Sequence, residues 1–326
     1  MLWNGSVFRT PKTMILFEAD PMYRRHFLAA LAAAPLLHAR SKFGLDHISV
    51  ITDEMAPTVA GAIEFAHKYG LKWVELRGVN GGKGHYASIP EAEAKAAAKE
   101  FSDAGLKVSF LNSPMYKITL PGVDPVMRRP ETPEGREKRI ARATNEYGRR
   151  KEDFEKAFRN AHAFGTDKIR VFTFLRTAEP RKHFQQIADI LGECTEWAAK
   201  EKINILFENE TSCNVVTCDE VRDFLKIMPQ KNFAFNWDPH NGAALKEVQY
   251  PDGYKLLPLK RVLNVQVKGK SLLDEKERLP WAGIFSALAK DGYKGCVGLE
   301  THYFDGTMFE KSHKSLEEIT RILRES

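Results

Sequence analysis

The chain has 326 residues, 43% of them hydrophobic and 28% charged, with a formal net charge of +6. Such proportions belong to a soluble globular protein with an ample core. No run of eighteen apolar residues occurs, which excludes a membrane-spanning helix, and no stable membrane insertion is expected.

In the first forty residues, "MYRRHFLAALAAAPLLHAR" sets Arg24 and Arg25 ahead of Phe27 and Leu28. An alanine-rich apolar stretch follows, then Leu37-His38-Ala39 as an imperfect small-residue cleavage site. The pattern resembles a twin-arginine export signal, which implies that residues 1–43 are a leader outside the fold and that the protein is periplasmic, exported already folded. The competing reading is an amphipathic helix packed on the rest of a cytoplasmic protein.

From residue 44 onward one unit recurs: a helix, a terminating glycine, a lysine, then an apolar strand. "FAHKYGLKWVEL", "EFSDAGLKVSF", "AHAFGTDKIRVF" and "LAKDGYKGCVGLE" fit it, and "WAAKEKINILFEN" fits without the glycine. Gly70, Gly105, Gly165 and Gly292 are the predicted helix stops, since glycine past a helix end adopts the left-handed conformation cheaply. The strands, near-continuous in Val, Ile, Leu and Phe, are those of a parallel sheet buried on both faces. They are expected at Leu45 to Ile51, Lys72 to Leu76, Lys107 to Leu111, Lys168 to Phe174, Asn204 to Phe207, Phe233 to Trp237, Val262 to Val267 and Gly295 to Leu299. Two helices between them open with a predicted capping box, Ser88 with Glu91 and Thr217 with Glu220. Eight such units over residues 44–326 predict an α/β fold, a single (β/α)8 TIM barrel. A doubly wound sheet is the alternative, but no G-x-G-x-x-G follows the first strand.

The longest departure from the repeat is a segment of about 113–148, inserted after the third strand. Insertions on the carboxyl side of barrel strands sit over the active site, so this one reads as a lid or as an interface in a homo-oligomer. It carries the densest basic patch, "RRPETPEGREKRIARATNEYGRRK", where arginines alternate with glutamates and aromatic residues are absent until Tyr147. That composition argues for a solvated loop or helix face and against a nucleic-acid partner. Cys194, Cys213, Cys218 and Cys296 lack zinc spacing. Four separate buried thiols are expected, with a Cys213–Cys218 disulfide as the alternative in an exported protein.

Chemistry in such a barrel sits where strands end at their carboxyl side. Glu75 and Arg77 stand there on strand two, and Asn112 on strand three. On strands five to eight the candidates come in i, i+2 pairs, Glu208 with Glu210, Asp238 with His240, Gln266 with Lys268, and Glu300 with His302, each pair expected on one face. Converging carboxylates are strongly unfavourable in a closed space, and a bound cation is the simplest remedy. Strands five to eight together therefore predict an oxygen-rich divalent-metal site at Glu208, Asp238, Gln266 and Glu300. Glu75 reads equally as a structural partner of Arg77 and as a substrate contact, and Glu210 reads as a residue behind the ligands.

The motifs "LFENE", "NWDPHN", "VQVKGK" and "GLETHY" resemble, in order and spacing, those of the sugar phosphate isomerase/epimerase family with a xylose isomerase-like barrel. The resemblance implies a metal held by Glu208, Asp238, Gln266 and Glu300, with His240 and Lys268 facing a small carbohydrate substrate. Gln266 stands where the commonest pattern has histidine. Its amide oxygen makes the site harder, suited to Mn²⁺ or Mg²⁺ rather than Zn²⁺. The implied activity is isomerisation or epimerisation of a keto-sugar or related polyol through an enediolate, with Glu208 and Glu300 as base and acid. His302 and Asn112 would add substrate contacts, and Trp237 a flat apolar wall. The same enediolate chemistry would serve a lyase or dehydratase on an oxidised sugar, inosose or 3-keto-glycoside. A non-catalytic sugar-binding protein and an endonuclease-like metal phosphodiesterase are the readings from other classes, the latter needing more strand-end histidines than are present.

Overall fold

The computed structural model describes residues 43–127 and 129–325. The leader and its twin-arginine-like stretch lie outside the described residues. Eight parallel strands form one sheet in the order β1-β8-β7-β6-β5-β4-β3-β2. They are β1 (Ile48–Val50), β2 (Trp73–Leu76), β3 (Lys107–Leu111), β4 (Lys168–Val171), β5 (Asn204–Glu208), β6 (Phe233–Trp237), β7 (Val262–Lys268) and β8 (Cys296–Glu300). A parallel bridge between Ile51 and Glu75 joins β1 to β2 and closes the ring. The expected (β/α)8 barrel is the fold that forms. β4 ends three residues earlier than the apolar run suggests, because Phe172 and Leu175 give their N–H groups to Met115 and Ile118 in the segment after β3 instead of to the ladder.

Around the strands run α1 (Val59–Lys68), α2 (Glu91–Asp103), α3 (Pro133–Gly148), α4 (Arg150–Phe164), α5 (Phe184–Lys200), α6 (Cys218–Ile227), α7 (Pro239–Ala243), α8 (Trp281–Lys290) and α9 (Met308–Glu325). Gly165, at φ +69°, closes α4 in the left-handed conformation as the sequence predicts. The Thr217–Glu220 capping box forms at the start of α6. The Ser88–Glu91 box does not: α2 begins at Glu91 with Pro90 as its cap. Ser88 Oγ turns back to donate to the His85 carbonyl instead. A proline before the first helical residue sets the entry angle of the chain without a side-chain acceptor, so the serine is left two residues ahead of the cap.

The apolar core lies between sheet and helices, where Phe207 stacks on Phe233 at 5.4 Å and meets Phe224 edge-on at 5.5 Å. The barrel interior differs sharply from this layer. Phe110, Leu206 and Ala234 fill its amino-terminal end, but above them the inward positions are polar: Ser49, Glu75, Asn236, Asn264 and Gln266, all buried. Buried polar groups are tolerated when each finds a hydrogen-bond partner, so a polar interior of this kind has to be a network.

The inserted segment divides into a loop packed beside residues 172–176 and the helix α3, capped by Thr132 Oγ1. Its arginines are matched locally, Arg136 with Asp124 at 2.7 Å and Arg139 with Glu131 at 2.9 Å, which is the solvated helix face the alternating charges predict. All four cysteines are free thiols, three of them buried. Among the described residues no helix is long and apolar enough to cross a membrane.

Candidate active site at the carboxyl end of the barrel

Glu208 is the last residue of β5, two positions beyond the inward Leu206, so strand alternation carries its side chain into the barrel. Its Oε2 accepts from Arg170 Nη1 on β4 and from Asn236 Nδ2 on β6, each at 2.9 Å. Asp238 follows β6 and caps α7: Oδ1 accepts from Asn241 N, while Oδ2 accepts from Asn241 Nδ2 and lies 2.8 Å from Lys268 Nζ. Glu300 ends β8, where Oε1 accepts from Arg77 Nη1 at 3.0 Å. Carboxylate oxygens of Glu208, Asp238 and Glu300 all lie within 4.8 Å of one another, and the three side chains are buried. Three of the four expected ligand positions therefore converge.

The two glutamates differ in acidity. Burial pushes Glu208 up to about 7, with Arg170 opposing and the Glu300 and Asp238 charges reinforcing. Burial would also raise Glu300, but Lys268, His302 and Arg77 together outweigh it and hold that carboxyl well below the usual range. Lys268, itself buried, keeps its proton because Asp238, Glu300, Glu210 and Glu208 surround it. Two carboxyl groups with divergent acidity in one enclosed site are the usual basis for dividing acid and base roles.

Gln266 stands on β7 two residues before Lys268 and is paired in register with Gly298 of β8, two residues before Glu300. Its Nε2 donates to Glu75 Oε2 at 2.7 Å, and its Oε1 is buried without a hydrogen-bond partner, as is Oε2 of Glu300. Buried acceptors left unpaired are costly, and a cation would satisfy both. An all-oxygen donor set of three carboxylates and an amide fits a hard dication.

The other sequence-predicted residues fall differently. Glu75 does not pair with Arg77. It points into the barrel and accepts from Ser49 Oγ, Asn112 Nδ2, Asn264 Nδ2 and Gln266 Nε2, which places Asn112 against it as well. Arg77 instead bridges Asp53, Glu54 and Glu300. His240 does not share a face with Asp238, because the strand stops at Trp237 and residues 239–243 turn into α7. Its Nε2 lies 2.7 Å from Glu277 on the partly exposed rim. Trp237 is no wall for a ring: with Asn236 facing inward, it faces the helical layer, packed against Tyr254 at 5.6 Å and buried. Lys268 is engaged by Asp238 and Asn241 and not presented to open space. His302 sits at φ +55° with Nδ1 3.3 Å from Glu300 Oε1, off the hydrogen-bond direction. Glu210 pairs with Lys117 at 3.0 Å behind the ligand-type residues.

Sequence reasoning missed Arg170, Asn236, Asn264 and the Asp53–Glu54 pair. Arg170 had a signal: a cation between Ile169 and Val171 in the buried part of β4. Glu54 sits in a helical turn, Thr52–Met55, just after β1, and brings a second group together with Glu300 and His302. Nothing in its local sequence marks it.

Comparison with known proteins identifies the fold. The family described as xylose isomerase-like TIM barrel matches residues 63–325. No curated protein sequence matches significantly. Among solved structures, a D-psicose 3-epimerase in the presence of D-fructose is 17% identical, covering 86% of this chain and 98% of its own, with a TM-score of 0.61. A 3-keto-D-glucoside 4-epimerase from E. coli is 11% identical over 86% and 99%, with a TM-score of 0.63. The IOLI protein with a bound zinc atom is 14% identical over 86% and 98%, with a TM-score of 0.59. Matched over most of its length, with its acidic strand ends gathered at the carboxyl mouth, the chain belongs to the xylose isomerase-like TIM barrel family.

Proposed function

We propose that the protein is a divalent-metal-dependent isomerase or epimerase of a keto-sugar or related polyol. The observation that carries this reading is the convergence of Glu208, Asp238 and Glu300 at the barrel mouth, with the acidities of the two glutamates driven apart. The structural neighbours that act on psicose and on a 3-keto-glucoside support the substrate class. Glu208, Asp238, Glu300 and the Gln266 amide oxygen are the residues that would hold Mn²⁺ or Mg²⁺. Such an ion supplies positive charge where negative charge develops next to a carbonyl.

The protein's own residues supply the proton transfers. A carboxylate takes the proton from the carbon beside the carbonyl, the C–H pair moves into the new C=C bond, and the carbonyl π pair moves onto oxygen, giving an enediolate. Returning the proton to the same carbon from the opposite face epimerises it; returning it to the former carbonyl carbon, with the neighbouring hydroxyl proton passing to the former carbonyl oxygen, isomerises the sugar. Glu300, held as carboxylate by Lys268 and Arg77, suits the accepting role. Glu208, whose carboxylate oxygen lies within 4.8 Å of that of Glu300, is the partner that would return the proton. Lys268 fixes Asp238 and Glu300 in place, and burial of the whole cluster excludes bulk water from the transfer. A nuclease reading has less support, because His302 is the single imidazole in the acidic groups among the described residues.

The test is solvent-deuterium exchange into keto-hexoses, inososes and 3-keto-glucosides with added Mn²⁺. Exchange at the carbon next to the carbonyl is expected for one class of substrate, and its loss in Glu208→Gln and Glu300→Gln. Full exchange by Glu300→Gln would overturn the base assignment, and no exchange into any of these sugars by Mn²⁺-loaded protein would overturn the activity.

A further inference from the structure

Glu75 is a fully buried carboxylate with no cation among its hydrogen-bond partners. Every group that contacts it through a hydrogen bond is a neutral donor: Ser49 Oγ at 2.9 Å and Asn264 Nδ2 at 3.2 Å on Oε1, Asn112 Nδ2 at 3.0 Å and Gln266 Nε2 at 2.7 Å on Oε2. The residue opposite Gln266 on β8 is Gly298, and a Cβ there would overlap the Glu75 carboxyl oxygens. The interior is thus shaped around this one side chain. Two of its three amide neighbours share a further property, for Asn112 Oδ1 and Gln266 Oε1 are both buried and both lack a partner.

These facts have one geometrical cause. An acceptor on one side of a primary amide draws the NH₂ toward it and turns the oxygen the other way. Gln266 is paired with Gly298, and two residues further along the same strands Lys268 is paired with Glu300 and its Nζ meets Asp238, so a Gln266 oxygen turned away from Glu75 has the carboxylates next beyond it along β7 and β8. We propose that Glu75 is a positioning residue that aims the Gln266 amide oxygen at the dication site. This rests on the metal-dependent reading above and assigns Gln266 the part an imidazole plays elsewhere in the family. A histidine ligand is oriented by a carboxylate on its second nitrogen. The glutamine is oriented by a carboxylate on its NH₂, and that hydrogen bond also pushes electron density onto the ligating oxygen.

The experiment titrates Mn²⁺ alone into purified, metal-stripped protein by calorimetry, with thermal unfolding of each variant as the fold control. Glu75→Gln presents an NH₂ to donors and forces at least one amide to turn round. Its Mn²⁺ Kd is expected to rise about 10- to 100-fold, the usual cost of losing an orienting partner. Because Glu75 acts through Gln266, the double variant with Gln266→Ala is expected to bind no more weakly than Gln266→Ala alone. An unchanged Kd in Glu75→Gln, or additive losses in the double variant, would overturn the inference. Should Glu75→Gln not fold, Ser49→Ala removes a Glu75 anchor remote from Gln266. It is expected to raise Kd about threefold, the worth of one modest hydrogen bond, and an unchanged value counts against the proposal equally. Wild-type protein that fails to bind Mn²⁺ would sink the metal-dependent reading and this inference together, whereas wild-type binding with Glu75→Gln unaffected sinks the positioning role alone.

Discussion

Arg170 is the residue whose removal most directly tests how the acidic cluster is tolerated. Its guanidinium donates to Glu208 Oε2 at 2.9 Å and to the Ser113 carbonyl at 3.1 Å, and lies over the Phe172 ring at 4.8 Å. Both members of the ion pair are almost wholly buried, at 6% and 2% side-chain exposure. Breaking a buried pair from one side costs about 3–5 kcal/mol if the remaining charge has to stay. Glu208 has an escape, since burial already lifts it to about 7 and losing the Arg170 charge lifts it further. A carboxyl whose folded-state pKa is raised destabilises the fold increasingly as pH climbs above its unfolded value, until the folded value is reached. In the metal-free wild type that penalty stops growing near neutrality. In Arg170→Met it goes on growing by about 1.4 kcal/mol per pH unit. The stability deficit of the variant is therefore expected to widen by up to ~3 kcal/mol between about pH 7 and pH 9, on the order of 5 °C in Tm for a domain of this size. Thermal unfolding followed by circular dichroism in the presence of chelator measures it. A deficit that stays constant from about pH 6 to pH 9 would refute the idea that Arg170 carries the charge of Glu208.

Other perturbations separate local roles. Glu210 is lowered to about 2, because Lys268 and Lys117 outweigh the effect of its burial. It should contribute up to about 3 kcal/mol above pH 4.5 that is lost as pH falls toward 2. Glu210→Gln is expected to flatten that part of the acid-unfolding curve, and an unchanged curve would remove Glu210 from the account. Trp237→Phe should lower stability by roughly 1–3 kcal/mol through lost packing while leaving KM unchanged, and a raised KM would restore Trp237 to the substrate pocket. Gly165→Ala, where a Cβ would meet nothing within 4 Å, should cost only the ~1–2 kcal/mol of a left-handed alanine. Gly298→Ala has to displace Glu75 and should cost more in urea unfolding, with weaker Mn²⁺ binding besides.

The parts of this protein legible in its sequence are those governed by a single local rule. Strands buried on both faces leave near-continuous apolar runs, and left-handed glycines mark the ends of several helices, so the eight-fold repeat and its barrel could be counted. Glu208, Gln266 and Glu300 were reachable because alternation holds inside a paired strand, and each lies within one. The misplacements arise where that rule was applied beyond its range or not applied at all. Trp237 neighbours an inward residue, so parity alone turns it toward the helices, whatever its chemistry recommends. Arg170, between two outward aliphatics, is inward by the same parity. The pairing of Glu75 with Arg77, one of two equal readings, rested on proximity along the chain, but Arg77 leaves the strand direction to reach three acids drawn from other elements.

Asp238 and His240 show the limit of the rule most clearly, because the evidence against their shared face was already present in "WDPHN". Aspartate followed by proline is a helix start, the first supplying the cap and the second a backbone already bent for the first helical position. In the structure Asp238 Oδ1 accepts from Asn241 N, so the strand has ended and the two-residue period with it. The carboxylate then serves twice. One oxygen caps α7 and the other meets Lys268, so the helix start fixes the side chain that the acidic cluster needs. Capping thus orients a ligand-type residue more tightly than a free strand end could, while His240 is carried round the first helical turn to Glu277 on the rim.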